Sequence, residues 1–307
     1  MIESDGMISF YKFPQRITIE LSAACNLACT ICPRNHINIK NGFMEMPLFQ
    51  KIIAEIKHHT ITAIVPFFRG ESLLHPFFKE MMTIIRHATN SNIQFATNCL
   101  MLDKSMSQFL LELPIDFISF SLDAISKKTY DKIRKGGNFQ LAVDNINQFI
   151  SLKKSLSNSH TIVQISATKT KYNQNELSDF EKFWSKKVDR IRIYPQHSEK
   201  GIFGKLNKSS QNYQRKNRHP CRKPFSDFVI YYDGHIALCN HDWNRSKDHL
   251  IGNINNTSIE DIWSNDAYQE IRDLHMSKKW DNLQPCNQCD HWASVYEKQT
   301  MIGKLIQ

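Results

Sequence analysis

No stretch of this 307-residue chain has the continuous apolar length of a membrane span, and Met1 to Gln15 carries charges and aromatics but no apolar signal-peptide core. The expectation is a cytoplasmic protein without membrane contact. That absence alters the meaning of the eight cysteines, because in a long chain without a secretory signal clustered thiols favour metal binding over disulfides. Aromatics are scarce where positive charge is densest. Between Lys200 and Lys223 the cations Lys205, Lys208, Arg215, Lys216, Arg218 and Arg222 are interleaved only with Phe203 and Tyr213, which argues against a base-stacking nucleic-acid surface. The segment 199–220 reads as a basic linker, or as a lid whose charge attracts a phosphorylated or nucleotide-linked substrate; a zinc-stabilised nucleic-acid-binding protein is the non-enzyme alternative.

What is present is enough apolar material for a full core, at 41% of residues against 22% charged, and a length that fits one large domain plus a smaller one. The cysteines divide into groups of three, four and one. Cys25, Cys29 and Cys32 form C-x3-C-x2-C directly after the apolar run Ile17 to Leu21. Three thiolates in one short loop can hold three corners of a cubane iron–sulfur cluster and leave the fourth iron open. Zinc is the rival, since His36 could complete a Cys3His site.

From residue 16 to 195, β-branched runs alternate with amphipathic segments. Strands are expected at Ile61–Phe67, Ile93–Thr97, Phe117–Ser121, Thr161–Ala167 and Val188–Pro195 after the first, with helices between them, giving six βα-like units and a parallel sheet. The cysteine loop then sits at the carboxyl end of the first strand, where such folds place reactive sites.

C-x3-C-x2-C in that position resembles the signature of radical SAM enzymes. The resemblance implies a partial (β/α)6 barrel over 1–198, with the open iron chelated by S-adenosylmethionine. It implies a role beside adenine for Ile31, where the family usually has an aromatic residue, and a ligand role for Gly70 and Glu71 in Arg69-Gly70-Glu71-Ser72, which is similar to the family's Gly-Glu-Pro segment. Ser121 and Asp123 would meet the ribose or amino-acid moiety, with a helix N-cap as the alternative reading. Arg134 matches a family arginine that forks onto the methionine carboxylate. Thr97-Asn98 is similar to Thr-Asn-Gly, with Cys99 at the glycine position. Cys99 is the leftover thiol, read either as a small buried hydrophobe or as a hydrogen-atom donor facing the barrel mouth. Arg190, Arg192 and Tyr194 alternate with isoleucines, so Arg192 is a candidate for orienting an anionic or hydroxylated substrate if that face points into the barrel, with surface exposure at a strand edge as the alternative.

Towards the carboxyl end, Asp233-Gly234 between two apolar runs signals a hairpin, followed by a helix expected from Ser258 to His275. Cys221, Cys239, Cys286 and Cys289 surround these elements. Four thiolates suit zinc or a fully ligated [4Fe–4S] cluster. Joined to the first motif, the pattern resembles the SPASM/twitch module over 221–307, and its spacing is similar to that of radical SAM dehydrogenases acting on amino-cyclitol alcohols. The resemblance implies two [4Fe–4S] clusters, a small-molecule substrate oxidised at a hydroxyl-bearing carbon, and an electron donor such as flavodoxin or ferredoxin. No peptide-recognition domain is apparent at the amino end, which points away from a leader peptide, although peptide modification and epimerisation are the competing outcomes.

Overall fold

The computed structural model describes residues 10–156, 159–196, 218–243, 251–289, 292 and 301–303. Most of the expected basic linker or lid, residues 199–217, lies outside them.

Six strands pair in parallel in chain order: β1 (Arg16–Ile19), β2 (Ala63–Val65), β3 (Asn92–Thr97), β4 (Phe117–Ser121), β5 (Ile162–Lys169) and β6 (Arg190–Pro195). The crossovers are helical, as parallel pairing requires: α1 (Met46–Ile56), α2 (Phe78–Ala88), α3 (Lys104–Glu112), α4 (Lys127–Ile133) with α5 (Phe139–Ser155), and α6 (Leu177–Trp184). Local chemistry sets their limits. Pro47 occupies the first turn of α1, and Asp103, Ser126 and Asn138 cap α3, α4 and α5 by accepting from the amides of Met106, Thr129 and Leu141.

The two faces of this sheet differ. Phe95, Ile118, Phe120, Val163, Ile165 and Ile191 join the helices' apolar faces in one buried core. The alternate residues of the same strands are polar: Ser119 pairs in register with Gln164, and Gln164 with Arg190. Gln164 Nε2 donates to Ser119 Oγ at 2.8 Å, and Arg16 donates to Gln94 Oε1 at 2.8 Å. Arg16 on β1 also interacts electrostatically with Tyr194 on β6, although four strands separate β1 from β6 along the sheet. Electrostatic proximity at that remove requires the sheet to curl around its polar face, which is the partial barrel.

The expected hairpin is present and is built onto the barrel itself. β7 (Asp227–Ile230) pairs in parallel with the open side of β1, β8 (Ile236–Ala237) pairs antiparallel with β7, and β9 (Met301–Gly303) pairs antiparallel with β6. The described sheet therefore runs through nine strands. The single helix expected from Ser258 to His275 is a pair, Ile259–Ser264 and Asp266–Met276. Asn265 breaks it: its side-chain oxygen caps the second helix through Tyr268 N at 2.9 Å, and its amide nitrogen donates to Ile251 O at 2.7 Å.

Barrel and hairpin meet at a buried ion pair. Arg69 donates through Nε and Nη2 to the two Glu20 oxygens, each at 2.7 Å, its guanidinium lies 4.2 Å from the Tyr231 ring centroid, and Nη1 reaches the Trp243 carbonyl at 3.2 Å. Tyr232 N also donates to Glu20, at 3.2 Å. Glu20→Ala leaves Arg69 charged, buried and unpaired, with an expected cost of about 3–5 kcal/mol in denaturant unfolding. The double replacement Glu20→Met/Arg69→Met should recover most of that loss.

Candidate active site and auxiliary thiol centre

The cysteine loop leaves β1 at the carboxyl end of the barrel and is held by backbone bonds from two directions. Ala28 N and Thr30 N donate to the carbonyls of Lys135 and Ile133 at 2.9 and 2.8 Å, which fastens the loop to the turn after α4. Glu71 N donates to Ala24 O at 2.8 Å from the other side. Cys29 is buried, and Cys25 and Cys32 are half-buried. Burial pushes all three thiols up, Cys32 to about 12, with Cys29 and Cys25 adding to the shift at Cys32. The thiols therefore sense one another as a group, and taking up a metal cluster must displace their protons.

Gly70 is required by chain packing. A Cβ there would lie 2.3 Å from Ser22 O and 2.4 Å from Ala24 O, both backbone atoms of the loop's entry. The glycine that the family resemblance gives to ligand approach thus also admits the cysteine loop itself. Glu71 is buried, and burial pushes its carboxyl up. One oxygen accepts from Asn98 N at 2.8 Å and the other from Leu73 N at 3.3 Å, leaving acceptor capacity on both for an ammonium group. Asn98 in turn donates to Asn26 Oδ1 at 2.7 Å, tying the end of β3 to the loop.

Asp123 and Arg134 lie together. Arg134 Nε donates to Asp123 Oδ2 at 2.6 Å, and its Nη1 lies 3.9 Å from Cys29 Sγ. Burial works against the Arg134 charge, but Asp123, Cys29 and Tyr130 outweigh it and leave the guanidinium held on. Asp123 sits at φ +66°, with Thr168 N donating to its other oxygen at 2.6 Å and Asn173 Nδ2 to its carbonyl at 2.8 Å. Neither Ser121 nor Asp123 takes the alternative N-cap role, because Ser126 caps the helix that follows. Ser121 and Ile31 are half-buried at the carboxyl end of the barrel.

Cys99 does not open onto the barrel mouth. It is fully buried within the apolar core, at φ +69°, with Asn145 Nδ2 donating to its carbonyl at 2.8 Å and its own thiol 3.6 Å from Thr97 O. The positive φ is the backbone shape that a glycine at this position would adopt freely. Arg192 is half-buried on the polar face, 4.4 Å from the Tyr194 ring centroid.

The other four thiols form a second group. Burial pushes up Cys221, Cys239 and Cys286; Cys239, Cys289 and Cys221 add to the shift at Cys286, and Cys289 and Cys221 to that at Cys239. His275 accepts from Cys221 N at 3.3 Å, and Arg218 donates to Cys286 O at 2.8 Å. Neither residue carries a sequence signal, since the first contact spans 54 residues and the second 68. Among the described residues no three His, Cys, Asp or Glu side chains converge on a single metal ion. A cubane distributes its cysteines over separate irons, so both thiol groups fit clusters without such convergence.

Two family models match the chain: the radical SAM superfamily over residues 19–166 and an iron–sulfur cluster-binding domain, SPASM, over residues 221–290. The chain belongs to the radical SAM superfamily and carries a SPASM domain, and these domains imply [4Fe–4S] clusters and S-adenosylmethionine as cofactors. Its fold is similar to that of BtrN, solved with AdoMet and 2-DOIA, at TM-score 0.62 and 18% identity over 92% of this chain and 94% of that one. SuiB of Streptococcus suis, bound to its precursor peptide SuiA, matches at TM-score 0.68 and 16% identity over 86% of this chain and 67% of that one. A cofactor-modifying protein for tungsten-containing aldehyde ferredoxin oxidoreductase from Pyrococcus furiosus is 21% identical over 92% of this chain and 90% of its own length. No described helix is long and apolar enough to cross a membrane.

Gly70→Ala tests how the loop is held. With backbone oxygens only 2.3 and 2.4 Å from the new methyl group, one strand of chain must shift, and the replacement is expected to lower iron retention in reconstituted protein several-fold alongside thermal stability.

Proposed function

We propose that this protein is a radical SAM oxidoreductase that oxidises a hydroxyl-bearing carbon of a small polar substrate, of the sugar or amino-cyclitol class, with its auxiliary cluster as electron acceptor. The observation that carries the reading is the asymmetry of the two thiol groups. The loop supplies three thiols and the carboxyl-terminal region supplies four, so the first group leaves a metal position for a cofactor and the second is closed. When bound, the two clusters and S-adenosylmethionine supply a hydrogen-abstracting 5′-deoxyadenosyl radical and a sink for one electron, which with loss of a proton accounts for two hydrogens leaving an alcohol.

In this reading Cys25, Cys29 and Cys32 hold the first cluster, and Cys221, Cys239, Cys286 and Cys289 hold the second. Glu71 accepts from the cofactor's ammonium group. Arg134, fixed by Asp123, presents its cation beside Cys29 to the cofactor carboxylate, and Ile31, Gly70 and Ser121 complete the cofactor's surroundings. The polar barrel face supports a hydroxylated substrate. Ser119, Gln164 and Ser166 are buried there, and the Gln164 side-chain oxygen has no hydrogen-bond partner among the described residues. Arg192 on the same face orients a hydroxyl or an anionic group. A flavodoxin or ferredoxin supplies the reducing electron.

Epimerisation with Cys99 as hydrogen donor is the second reading. It is favoured by the electrostatic proximity of this thiol to Glu71 and Arg134, and opposed by the thiol's complete enclosure.

One assay separates the two. Reconstituted protein reduced in the presence of S-adenosylmethionine and candidate amino-sugars is expected to yield 5′-deoxyadenosine and a product lighter by two hydrogens. Cys99→Ala should leave that yield within about twofold, given a buried thiol that only packs. A product of unchanged mass that gains solvent deuterium, and loses that gain in Cys99→Ala, would replace oxidation by epimerisation.

A further inference from the structure

The auxiliary thiol centre is flanked by two nitrogen-bearing side chains whose hydrogen-bonding capacity the protein does not use. Arg218 is 7% exposed; its Nη1 donates to Cys286 O at 2.8 Å, while Nε and Nη2 are buried with no partner among the described residues. Its guanidinium is walled by Trp280 and Trp292, at 4.8 and 5.6 Å from the ring centroids, so it cannot turn to water. His275 is fully buried on the helix Asp266–Met276. Its Nδ1 accepts the Cys221 amide at 3.3 Å, so the ring proton resides on Nε2, which is likewise buried with no partner.

Three unpartnered nitrogens on side chains bonded to the backbones of Cys221 and Cys286 are an expensive arrangement in a protein interior, where buried donors are almost always bonded. Arg218 also interacts electrostatically with Cys289, Cys286 and Cys221, and less with Asp281, so its charge faces the thiol set. The geometry points to Arg218 and His275 as positioning residues of the auxiliary cluster, their free N–H groups aimed at its sulfurs and their combined effect being to raise its reduction potential.

Reduction adds one electron to a buried, already anionic cluster. A fixed cation and N–H donors to sulfur stabilise the added charge more than the oxidised state, and so shift the potential upward. A raised potential is what an electron acceptor needs. The inference rests on the auxiliary cluster serving in that role, but the property it predicts is measured without turnover.

The test is a redox titration of reconstituted full-length protein followed by electron paramagnetic resonance, in which the signal unchanged by S-adenosylmethionine belongs to the auxiliary cluster. At a fixed solution potential, Arg218→Met is expected to lower the reduced fraction relative to the oxidised about tenfold, equivalent to about 59 mV for one electron. His275→Phe should shift it in the same direction by less. Arg218→Lys, which keeps the charge and loses the fork, should fall between Arg218→Met and the unaltered protein. Unchanged midpoints in Arg218→Met and His275→Phe at full iron and sulfide content overturn the inference. Should Arg218→Met fail to retain the cluster, His275→Phe and Arg218→Lys decide: a lowered midpoint in either supports it, and wild-type midpoints in both overturn it. A shifted midpoint in a protein that forms no oxidised product leaves this inference standing and removes the proposed reaction instead.

Discussion

The cysteine loop keeps its shape because the turn after α4 accepts its backbone. Ala28 and Thr30 donate to Lys135 and Ile133, and the residue between those two acceptors is Arg134. One short turn thus fixes the loop and delivers the cation that lies beside Cys29. Arg134 in its turn is fixed by Asp123, and Asp123 by Thr168 and Asn173, so the ends of β4 and β5 set the position of a side chain on another loop. Each link is a hydrogen bond to a charged or backbone group in a water-poor interior, where such bonds are strongest and loss of a partner costs most. Moving any one of these groups moves the thiols.

The same logic of anion and cation recurs at the second thiol group with different parts. There the cation is Arg218, held between two tryptophans, where the first site has Arg134 held by a carboxylate. The difference has a consequence. Asp123 pairs with Arg134 at 2.6 Å and cancels much of its charge towards its surroundings, whereas Arg218 sits between aromatic faces, with the Asp281 carboxylate a weaker influence on it than the thiols of Cys289, Cys286 and Cys221. Under the proposed function, the site that binds a zwitterionic cofactor needs direction, and the site that accepts an electron gains from a nearby cation.

Much of this was legible in the sequence because it depends on local pattern. All six barrel strands, the Asp233-Gly234 hairpin and both thiol groups were apparent from periodicity and spacing, since strand alternation and cysteine intervals are properties of short windows. What was not legible depends on distant partners. Gly70 serves chain packing because Ser22 and Ala24, almost fifty residues earlier, pass directly beneath it. Asn265 splits a helix because Ile251 offers it an acceptor, and the run from Ser258 to His275 shows only continuous amphipathic spacing. Cys99 admits two readings from its place at a strand end, and its enclosure in the apolar core agrees with the buried hydrophobe rather than with a thiol at the barrel mouth. Glu20 and Arg69 were visible as charged residues beside motifs, but their pairing emerges only when β1 and the loop after β2 are adjacent.

The parallel pairing of β7 with β1 makes the two thiol groups parts of one rigid body. β1 runs into the loop with Cys25, Cys29 and Cys32, while β7 is flanked in sequence by Cys221 and Cys239. Neighbouring strands are about 4.8 Å apart and cannot slide without breaking a ladder of hydrogen bonds. The Glu20–Arg69 pair with its bond to the Trp243 carbonyl, and the Asn240 side chain donating to Thr18 Oγ1 at 3.3 Å, fasten the segment after Cys239 to β1 and to the loop after β2. A hairpin on a flexible tether would let the separation of the two sites vary. Building the hairpin into the barrel sheet through β7 and β1 fixes that separation in the fold.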